Sequence, residues 1–187
     1  MSNITVTKRD GSKEPFDANK INAAILQAAE GLPDQVSKVV QIATELQLTL
    51  FDGITTEQLD AAVIQTTLQN VKDDPDYDKI AARLLLKTIY KGTLGDYETA
   101  DELKKLHARE FPKFVKAAVK DGLLDERMSD GRFDLKKLGE ALEPARDDLS
   151  KYLGVITNRN RYALRKQNGE PLETPQFTHM RIAMGLS

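Results

Sequence analysis

The sequence predicts a mainly α-helical (α+β) fold, in which a β-hairpin is followed by four helices, and further helices and a short hairpin come after them. Three observations lead to this prediction. An alternating segment of β-branched and polar residues reaches the turn pair Asp10-Gly11, four segments with helical apolar spacing come next, and the second half is dense in both charge signs. The 187 residues suffice for one domain or two small ones, and we place a boundary between residues 92 and 93.

The composition argues against several classes of protein. The 27 Lys and Arg residues against 29 Asp and Glu give a net charge of −2, so the chain lacks the basic field typical of nucleic-acid binding. No apolar run approaches the ~18 residues of a membrane helix. The first residues also lack the pattern of a signal peptide. We therefore expect a cytoplasmic protein that binds neither nucleic acid nor membranes.

Few residues in this chain could carry catalysis or hold a metal ion. Cysteine is absent, which excludes disulfides, cysteine-ligated zinc and thiol nucleophiles. The two histidines, His107 and His179, lie far apart in the sequence and lack the spacing of metal ligands. We predict no catalytic residue and no metal site, and we expect both histidines to be exposed or partly packed.

The first predicted elements are a hairpin and two helices. The hairpin turns at Asp10-Gly11, and Asp17 takes the N-cap position of a helix that ends at Gly31-Leu32-Pro33. A second helix is predicted to bury one wide apolar stripe. That stripe consists of Val36, Val39, Val40, Ala43, Leu46 and Leu50.

The next predicted elements are a short strand and two more helices. Ile54 adds the strand, and Thr55 or Thr56 caps the third helix. The simplest interpretation of Thr56 is that it is a helix cap. A fourth helix follows Asp74-Pro75-Asp76 and ends around Gly92 and Gly95. We expect Arg83 on this helix to be more buried than a surface arginine and to pair with a carboxylate from residues 73–78.

The second half is predicted to be helical with one hairpin. Pro112 is expected to divide its first helical stretch into two helices, and the charged segment 96–151 to form solvated helices without a site. A hairpin is predicted at Asn168-Gly169. Thr174-Pro175 then has the pattern of an N-cap and first helical residue, followed by an amphipathic helix with an apolar face. An apolar helix at the very end predicts packing against material supplied elsewhere.

A cluster of charged residues near the N-terminus is the strongest candidate for a binding site. Two cations on the first strand and one in the first helical turn could donate charge-assisted hydrogen bonds to phosphate oxygens, and nearby acidic groups could bind a hydroxyl, an amine or hydrated Mg²⁺. The members of this cluster are Val6, Lys8, Arg9, Glu14, Asp17 and Lys20. A solvated hairpin edge, kept charged against aggregation, explains the same residues, and Lys91 is most simply a cation that complements a helix dipole. The residues alone leave both alternatives open.

Taken together, the motifs resemble an ATP-cone, the N-terminal allosteric domain of many ribonucleotide reductase large subunits. This resemblance implies that a β-hairpin or small three-stranded sheet caps a four-helix bundle. The segments that carry this resemblance are Val6-Thr7-Lys8-Arg9-Asp10-Gly11, Phe16, Lys20-Ile21, Asp52-Gly53-Ile54-Thr55-Thr56, Asp74-Pro75-Asp76-Tyr77, Ala81-Ala82-Arg83-Leu84 and Lys91. The second half resembles the stretch that leads into the catalytic barrel of that enzyme. Its matching segments are Lys151-Tyr152-Leu153-Gly154, Arg161-Tyr162, Leu164-Arg165, Glu173-Thr174-Pro175-Gln176-Phe177 and Met180-Arg181-Ile182-Ala183-Met184-Gly185-Leu186.

The resemblance implies a function for each part of the chain. Residues 1–92 would be a nucleotide-binding regulatory domain, and residues 93–187 an incomplete N-terminal helical segment of the catalytic domain. ATP would activate and dATP inhibit, each with Mg²⁺. The partners implied are the remainder of the large subunit in the same or a separate chain, a radical-generating small subunit, and further copies of the chain. The chain would be a truncated piece or the product of a split gene, and without cysteines it should be inactive alone.

The resemblance also implies nucleotide contacts at eight positions of this sequence. The matching residues are Val6, Lys8, Arg9, Glu14, Asp17, Lys20, Thr56 and Lys91. The four cations would meet phosphates, Val6 the adenine, and the two acidic residues the base or sugar. The alternative is a degenerate cone that binds no nucleotide and acts only in oligomerisation or docking. A transcriptional repressor with an ATP-cone would need a cysteine-rich zinc finger, against which the absence of cysteine argues strongly.

Overall fold

The computed structural model describes residues 4–8, 10–166 and 169–187. The chain divides into two compact units, Met1–Leu85 and Leu86–Ser187. The division falls within one continuous helix, Asp76–Leu94. The domain boundary predicted between residues 92 and 93 separates two functional parts as well as two packed units. It therefore stays a prediction.

The first unit contains a small sheet with the predicted hairpin. The strands are β1 (Thr5–Thr7), β2 (Lys13–Pro15) and β3 (Ile54–Thr55), in the order β2-β1-β3. Strand β1 pairs antiparallel with β2, where Val6 lies opposite Glu14, and parallel with β3, where Val6 lies opposite Ile54. Gly11 takes a positive φ of 83° in the hairpin turn, a conformation that glycine adopts without steric cost.

The four helices predicted for the first half are present. They are α1 (Ala18–Ala28), α2 (Gln35–Leu46), α3 (Thr56–Gln69) and α4 (Asp76–Leu94). Asp17 caps α1 as predicted, since its carboxylate accepts a hydrogen bond from the Asn19 amide at 2.9 Å. Thr55 caps α3 through the Gln58 amide, and Gln58 bonds back to the Thr55 amide. The interpretation of Thr56 as a cap is therefore wrong, because Thr56 is the first residue inside the helix.

The buried face of α2 differs from the predicted stripe. Leu46 is buried as predicted, but Val36 and Val40 are 71% and 59% exposed, and Lys38 and Ile42 are buried instead. Apolar residues occur on two sides of this helix, so their spacing alone does not fix which side faces inward. The side chosen buries the lysine, whose ammonium donates to the Pro33 carbonyl oxygen at 2.9 Å.

Arg83 is half-buried, as expected, and the structure shows what it binds. Its Nη1 donates to the carbonyl oxygen of Ala28, the last residue of α1, at 2.9 Å, and to that of Glu30, just beyond the helix, at 2.7 Å. Carbonyl groups at the end of a helix have no partner inside it, so a guanidinium is a suitable donor for them. Arg83 thus fastens α4 to the end of α1 within the first unit.

The second unit contains the remaining helices. They are α5 (Ala100–Lys120), α6 (Leu135–Glu140), α7 (Tyr152–Thr157) and α8 (Pro175–Leu186), with 3₁₀-helices at Glu126–Met128 and Pro144–Leu149 and a π-helical turn at Asn158–Tyr162. Its core includes the buried side chains of Phe111, Val115, Leu135, Leu142, Phe177 and Met184. Among the described residues, no helix of either unit has the length and apolar character needed to cross a membrane.

The prediction that Pro112 divides the first long helix is wrong. Helix α5 continues through Pro112, which cannot donate to the Ala108 carbonyl one turn earlier. Gly139 on α6 packs against that carbonyl so closely that a Cβ there would lie 2.6 Å from the Ala108 oxygen. Phe111 and Val115 are fully buried on either side of the proline. Burial of these turns against α6 therefore offsets the lost hydrogen bond.

The expectation for His107 is also wrong, because its side chain is completely buried. Its Nδ1 lies 2.8 Å from the Leu103 carbonyl oxygen, so this nitrogen donates, and Nε2 lies 3.1 Å from the Thr174 hydroxyl. Burial lowers the pKa of His107 to about 4, which keeps the ring neutral.

The predicted hairpin and the last helix cap lie near each other in the sequence. Arg165 and Pro171 form an antiparallel bridge, and the Leu172 amide donates to the Leu164 carbonyl at 2.8 Å. Asn168, half of the predicted turn pair, lies outside the described residues. Thr174 caps α8 as predicted, through a bond from the Phe177 amide to its hydroxyl.

Candidate functional site

The candidate site lies at the sheet of the first unit. Its centre is Glu14, which accepts from two lysines: Lys8 at 2.8 Å and Lys20 at 3.5 Å. Strand β2 supplies the carboxylate, the residue after β1 supplies Lys8, and the first turn of α1 supplies Lys20. The sequence therefore folds so that two cations from different elements converge on one carboxylate.

The charges of this cluster are stabilised by their mutual contacts. The hydrogen bond to Glu14 raises the pKa of Lys8, and the same bond is the main reason why the pKa of Glu14 is lowered. Lys8 and Glu14 are therefore both charged at neutral pH. The two ammonium groups remain open to solvent, since the side chains of Lys8 and Lys20 are 47% and 65% exposed. They can therefore bind an incoming anion.

The β3–α3 junction is held beside β1 by hydrogen bonds. The Thr56 hydroxyl donates to the Thr7 carbonyl oxygen at 3.3 Å, and the Thr7 hydroxyl donates to the Gly53 carbonyl oxygen at 3.3 Å. Asp52 accepts from the Thr5 amide at 2.9 Å and from the Thr5 hydroxyl at 2.6 Å. These bonds lower the pKa of Asp52. Sequence reasoning assigned no role to Asp52, although an aspartate before glycine at a strand start is a common turn signal.

Val6 and Asp17 serve the local structure of the site. Val6 is buried in an apolar cluster with Ile54 and Leu59. The Asp17 carboxylate is engaged with the first turn of α1 through Asn19. Both therefore fix the backbone from which the two lysines project.

Two predicted residues are not placed in this cluster by the described contacts. Arg9 lies outside the described residues. Lys91 belongs to the second unit, near the end of α4, where its ammonium lies 3.2 Å from the exposed carboxylate of Asp96. The structure thus brings together Lys8, Glu14 and Lys20 as one charged group.

The site suits an oxygen anion better than a bare metal ion. Two ammonium groups can each donate to phosphate oxygens, and Glu14 can accept from an amine or hydroxyl group. Within the described part of the chain, no group of three or more His, Asp or Glu side chains is arranged to hold a metal. An open hollow of about 420 Å³ lies elsewhere in the first unit and contains none of the predicted site residues; its lining is Leu32, Asp34, Gln35, Val36 and Ser37.

Comparison with known protein families finds a match for two parts of the chain. Residues 4–92 match the ATP cone domain, and residues 149–187 match the ribonucleotide reductase all-alpha domain. These are the parts in which the structure shows the sheet with four helices and, at the end of the chain, the hairpin followed by α8. The order of the two matches defines an ATP-cone followed by the beginning of a reductase domain.

Individual relatives agree with this assignment over nearly the whole chain. The alpha subunit of Helicobacter pylori ribonucleoside-diphosphate reductase is 33% identical, over 98% of this chain and 22% of the relative. The Chlamydia trachomatis alpha subunit is 30% identical, over 98% of this chain and 17% of the relative. Large chain 2 of the Saccharomyces cerevisiae ribonucleoside-diphosphate reductase is 30% identical, over 97% of this chain and 20% of the relative. The chain belongs to the ribonucleotide reductase large-subunit family and spans about a fifth of the length of these relatives.

Proposed function

We propose that this chain is the allosteric overall-activity region of a ribonucleoside-diphosphate reductase large subunit. ATP binds to the first unit and permits activity, whereas dATP binds there and inhibits it. The proposal rests on the match to the ATP cone domain and, in the structure, on one observation: Lys8 and Lys20 converge on Glu14.

This arrangement supports triphosphate binding for reasons of charge. A nucleoside triphosphate carries several negative charges, so a cluster of ammonium groups compensates it better than a single cation. The triphosphate would compete with Glu14 for Lys8 and Lys20, whose exposed ammonium groups can turn toward phosphate oxygens. Glu14 would then accept from the sugar or base instead.

The remaining contacts follow from the resemblance to the family. Arg9 and Lys91 would join the two lysines at the phosphates, Val6 would contact the adenine, and Asp17 and Thr56 would complete the polar contacts. Mg²⁺ would arrive with the phosphates. The nucleotide-binding domain would extend over residues 1–92, with the reductase segment in residues 93–187.

Regulation requires that the two nucleotides favour different assemblies. A coupling of about 1–3 kcal/mol between nucleotide and assembly is typical of allosteric proteins. The proposed partners are the rest of the large subunit, a radical-generating small subunit and further copies of this chain. Deoxyribonucleotide synthesis would then respond to the ratio of ATP to dATP.

A thermal-shift experiment with the whole chain tests nucleotide binding. ATP or dATP with Mg²⁺, at about 100 times the dissociation constant, should stabilise the first unit by about 2.7 kcal/mol. Lys8→Ala combined with Lys20→Ala should abolish this stabilisation. Lys113→Ala, which removes an exposed lysine paired with Glu110 in the second unit, is the matched control and should retain it. Equal stabilisation of the double variant and the wild type would refute the assigned site.

A degenerate cone that acts only in docking is the second candidate. The observation that favours it is the exposure of Val36 and Val40 on α2, because exposed apolar side chains on one helix face are typical of contact surfaces. This candidate predicts self-association or partner binding that neither ATP nor dATP changes. Sedimentation with and without each nucleotide distinguishes it from the allosteric function.

A further inference from the structure

The last turns of α4 are linked to α8 by a chain of buried and partly buried hydrogen bonds within the second unit. The Tyr90 hydroxyl donates to Oδ2 of Asp147 at 2.6 Å. The other oxygen, Oδ1, accepts from Nε2 of Gln176 at 2.6 Å, and Oε1 of Gln176 accepts from the Glu143 amide at 3.1 Å. Tyr90 lies near the end of α4, Asp147 in the 3₁₀-helix Pro144–Leu149, and Gln176 in the first turn of α8.

Aromatic contacts connect the same two elements by a second route. The Tyr90 ring lies edge-to-face against His107, with centroids 5.4 Å apart. His107 in turn lies edge-to-face against Phe177 in α8 at 5.5 Å. Its Nδ1 donates to a backbone carbonyl, so its Nε2 accepts from the hydroxyl of Thr174, the cap of α8. Tyr90 is therefore linked to the start of α8 through both its hydroxyl and its ring.

These hydrogen bonds restrict the position of the last turn of α4 relative to the first turn of α8 more strictly than apolar packing would. Asp147 is 4% exposed, and removal from water raises the pKa of its carboxyl group. A buried carboxyl group is costly unless its oxygens receive well-aligned donors. Displacing the last turn of α4 relative to the first turn of α8 would break those bonds. An apolar cluster of the same size could adjust at lower cost.

We propose that Tyr90 and Asp147 are positioning residues that couple the last turn of α4, with the predicted phosphate contact Lys91, to the start of α8. This inference rests on the proposed nucleotide binding. Lys91 follows Tyr90 directly in the helix, so a ligand that fixes Lys91 also fixes Tyr90. Binding of the nucleotide then orders α8, and loosening of the contacts to α8 weakens nucleotide binding, because linkage is reciprocal.

Hydrogen exchange in the full chain, with and without saturating dATP and Mg²⁺, tests the coupling. In the wild type, dATP should slow exchange of the α8 amides by about fivefold or more. Tyr90→Phe keeps the ring contacts and removes the hydroxyl, so it should lose most of this nucleotide-dependent slowing. It should still bind dATP, but with lower affinity than the wild type. Tyr162→Phe is the matched control, since Tyr162 is 58% exposed in the same unit, and it should behave as the wild type.

Gln176→Met is a second variant in case Tyr90→Phe does not fold. It removes the amide at similar side-chain length, leaves Tyr90 bonded to Asp147, and should reduce the effect of dATP on α8 in the same direction. Two results would overturn the coupling and leave the nucleotide site intact. In the first, the wild type binds dATP normally but hydrogen exchange of its α8 amides is not slowed. In the second, Tyr90→Phe and Gln176→Met bind dATP normally and their α8 amides are slowed as much as those of the wild type. Absence of dATP binding to the wild type would instead refute the proposed function and, with it, the coupling.

Discussion

The ammonium group of Lys38 lies 2.8 Å from a carboxylate oxygen of Asp74, although the lysine side chain is only 5% exposed. A second carboxylate, from Asp76, lies 3.3 Å away, and the Pro33 carbonyl oxygen accepts at 2.9 Å. The hydrogen bond to Asp74 raises the pKa of Lys38 against the effect of burial. The lysine thus joins α2 to the start of α4 in the first unit.

Removing the Lys38 ammonium should destabilise the first unit. Lys38→Met retains most of the buried side-chain volume but leaves Asp74 and Asp76 without their cation. We expect a loss of about 2 kcal/mol, less than for a fully buried pair, because both carboxylates are about one-third exposed. Urea denaturation measures it, and exposed Lys72→Met is the control. Equal stability of the two variants would contradict a structural role for Lys38.

The same ion pair predicts how stability depends on pH. The pKa of Asp74 is lowered, so its contribution is present above its ordinary value of 3.8 and is lost as the pH falls through the folded value. The pKa of Lys38 is raised, so its contribution is present below 10.5 and is lost as the pH rises through the folded value. Lys38→Met should remove the alkaline effect and weaken the acid effect, which the hydrogen bond from the Asp76 amide to Asp74 partly retains. An unchanged wild-type acid profile in that variant would refute this assignment.

His107 should make the second unit less stable in mild acid. Its pKa is lowered from 6.5 to about 4 by burial, so the unfolded chain binds more protons between these values. Stability is complete above 6.5 and falls as the pH decreases toward 4. At pH 5 the loss should be about 2 kcal/mol. Denaturation of the wild type at pH 7.5 and 5 measures it.

His107→Gln isolates this effect, because the variant no longer titrates at the buried position and should show a smaller loss between the two pH values. His179→Gln keeps His107 and should keep its loss, so it is the control. Identical pH profiles for wild type and His107→Gln would show that burial does not lower the pKa of His107.

Two glycine substitutions should have opposite outcomes. Gly139→Ala places a Cβ 2.6 Å from the backbone oxygen of Ala108, so α5 and α6 must separate, at a cost of about 1–3 kcal/mol. Gly154→Ala meets only the Ser150 side chain at 3.7 Å and gains helix propensity, so its effect should be neutral or stabilising by up to about 1 kcal/mol. A neutral Gly139→Ala would contradict the close approach of the two helices.

Neighbouring threonines should separate a structural role from a binding role. Thr55→Ala removes the cap of α3 and should cost about 1 kcal/mol of stability. Thr56→Ala removes a weaker bond to Thr7 and, as a predicted nucleotide contact, should mainly reduce nucleotide affinity. Denaturation and nucleotide titration of both variants provide the comparison. Loss of stability in Thr56→Ala alone would reverse the assignment.

Sequence reasoning succeeded where the signal is local. The helix caps Asp17 and Thr174 accept hydrogen bonds from amides two or three residues later, and both caps were predicted correctly. The hairpin turn at Asp10-Gly11 was also predicted correctly, because this residue pair favours a turn. The short strand at Ile54 was predicted as well, although its parallel pairing with β1 was not. Such features depend on a few adjacent residues and little on the rest of the fold.

Errors arose where distant residues decide the outcome. Lys38 is buried because Asp74 and Asp76, at the start of α4, form ion pairs with its ammonium group. The side of α2 that carries the lysine is buried for that reason. Pro112 stays within α5 because Gly139 allows α6 to pack against the freed carbonyl. His107 is buried by contacts with α8. None of these partners can be read from spacing along one helix.

The residues of the candidate site show the same division. The sequence predicted that Lys8, Glu14 and Lys20 belong to one cluster, because a hairpin leads into a helix. The direct pairing of both lysines with Glu14 required knowledge of the strand register. Tyr90 and Asp147 carried no local signal, because their bond joins segments far apart in the chain.

Titration calorimetry of the whole chain with dATP and then ATP, each with Mg²⁺, tests the central claim most directly, with sedimentation of the same samples. We predict saturable binding of both nucleotides at micromolar or tighter affinity, competition between them, and a change of assembly that differs between ATP and dATP. Heat and sedimentation profiles that neither nucleotide changes would contradict the regulatory function and leave a docking module.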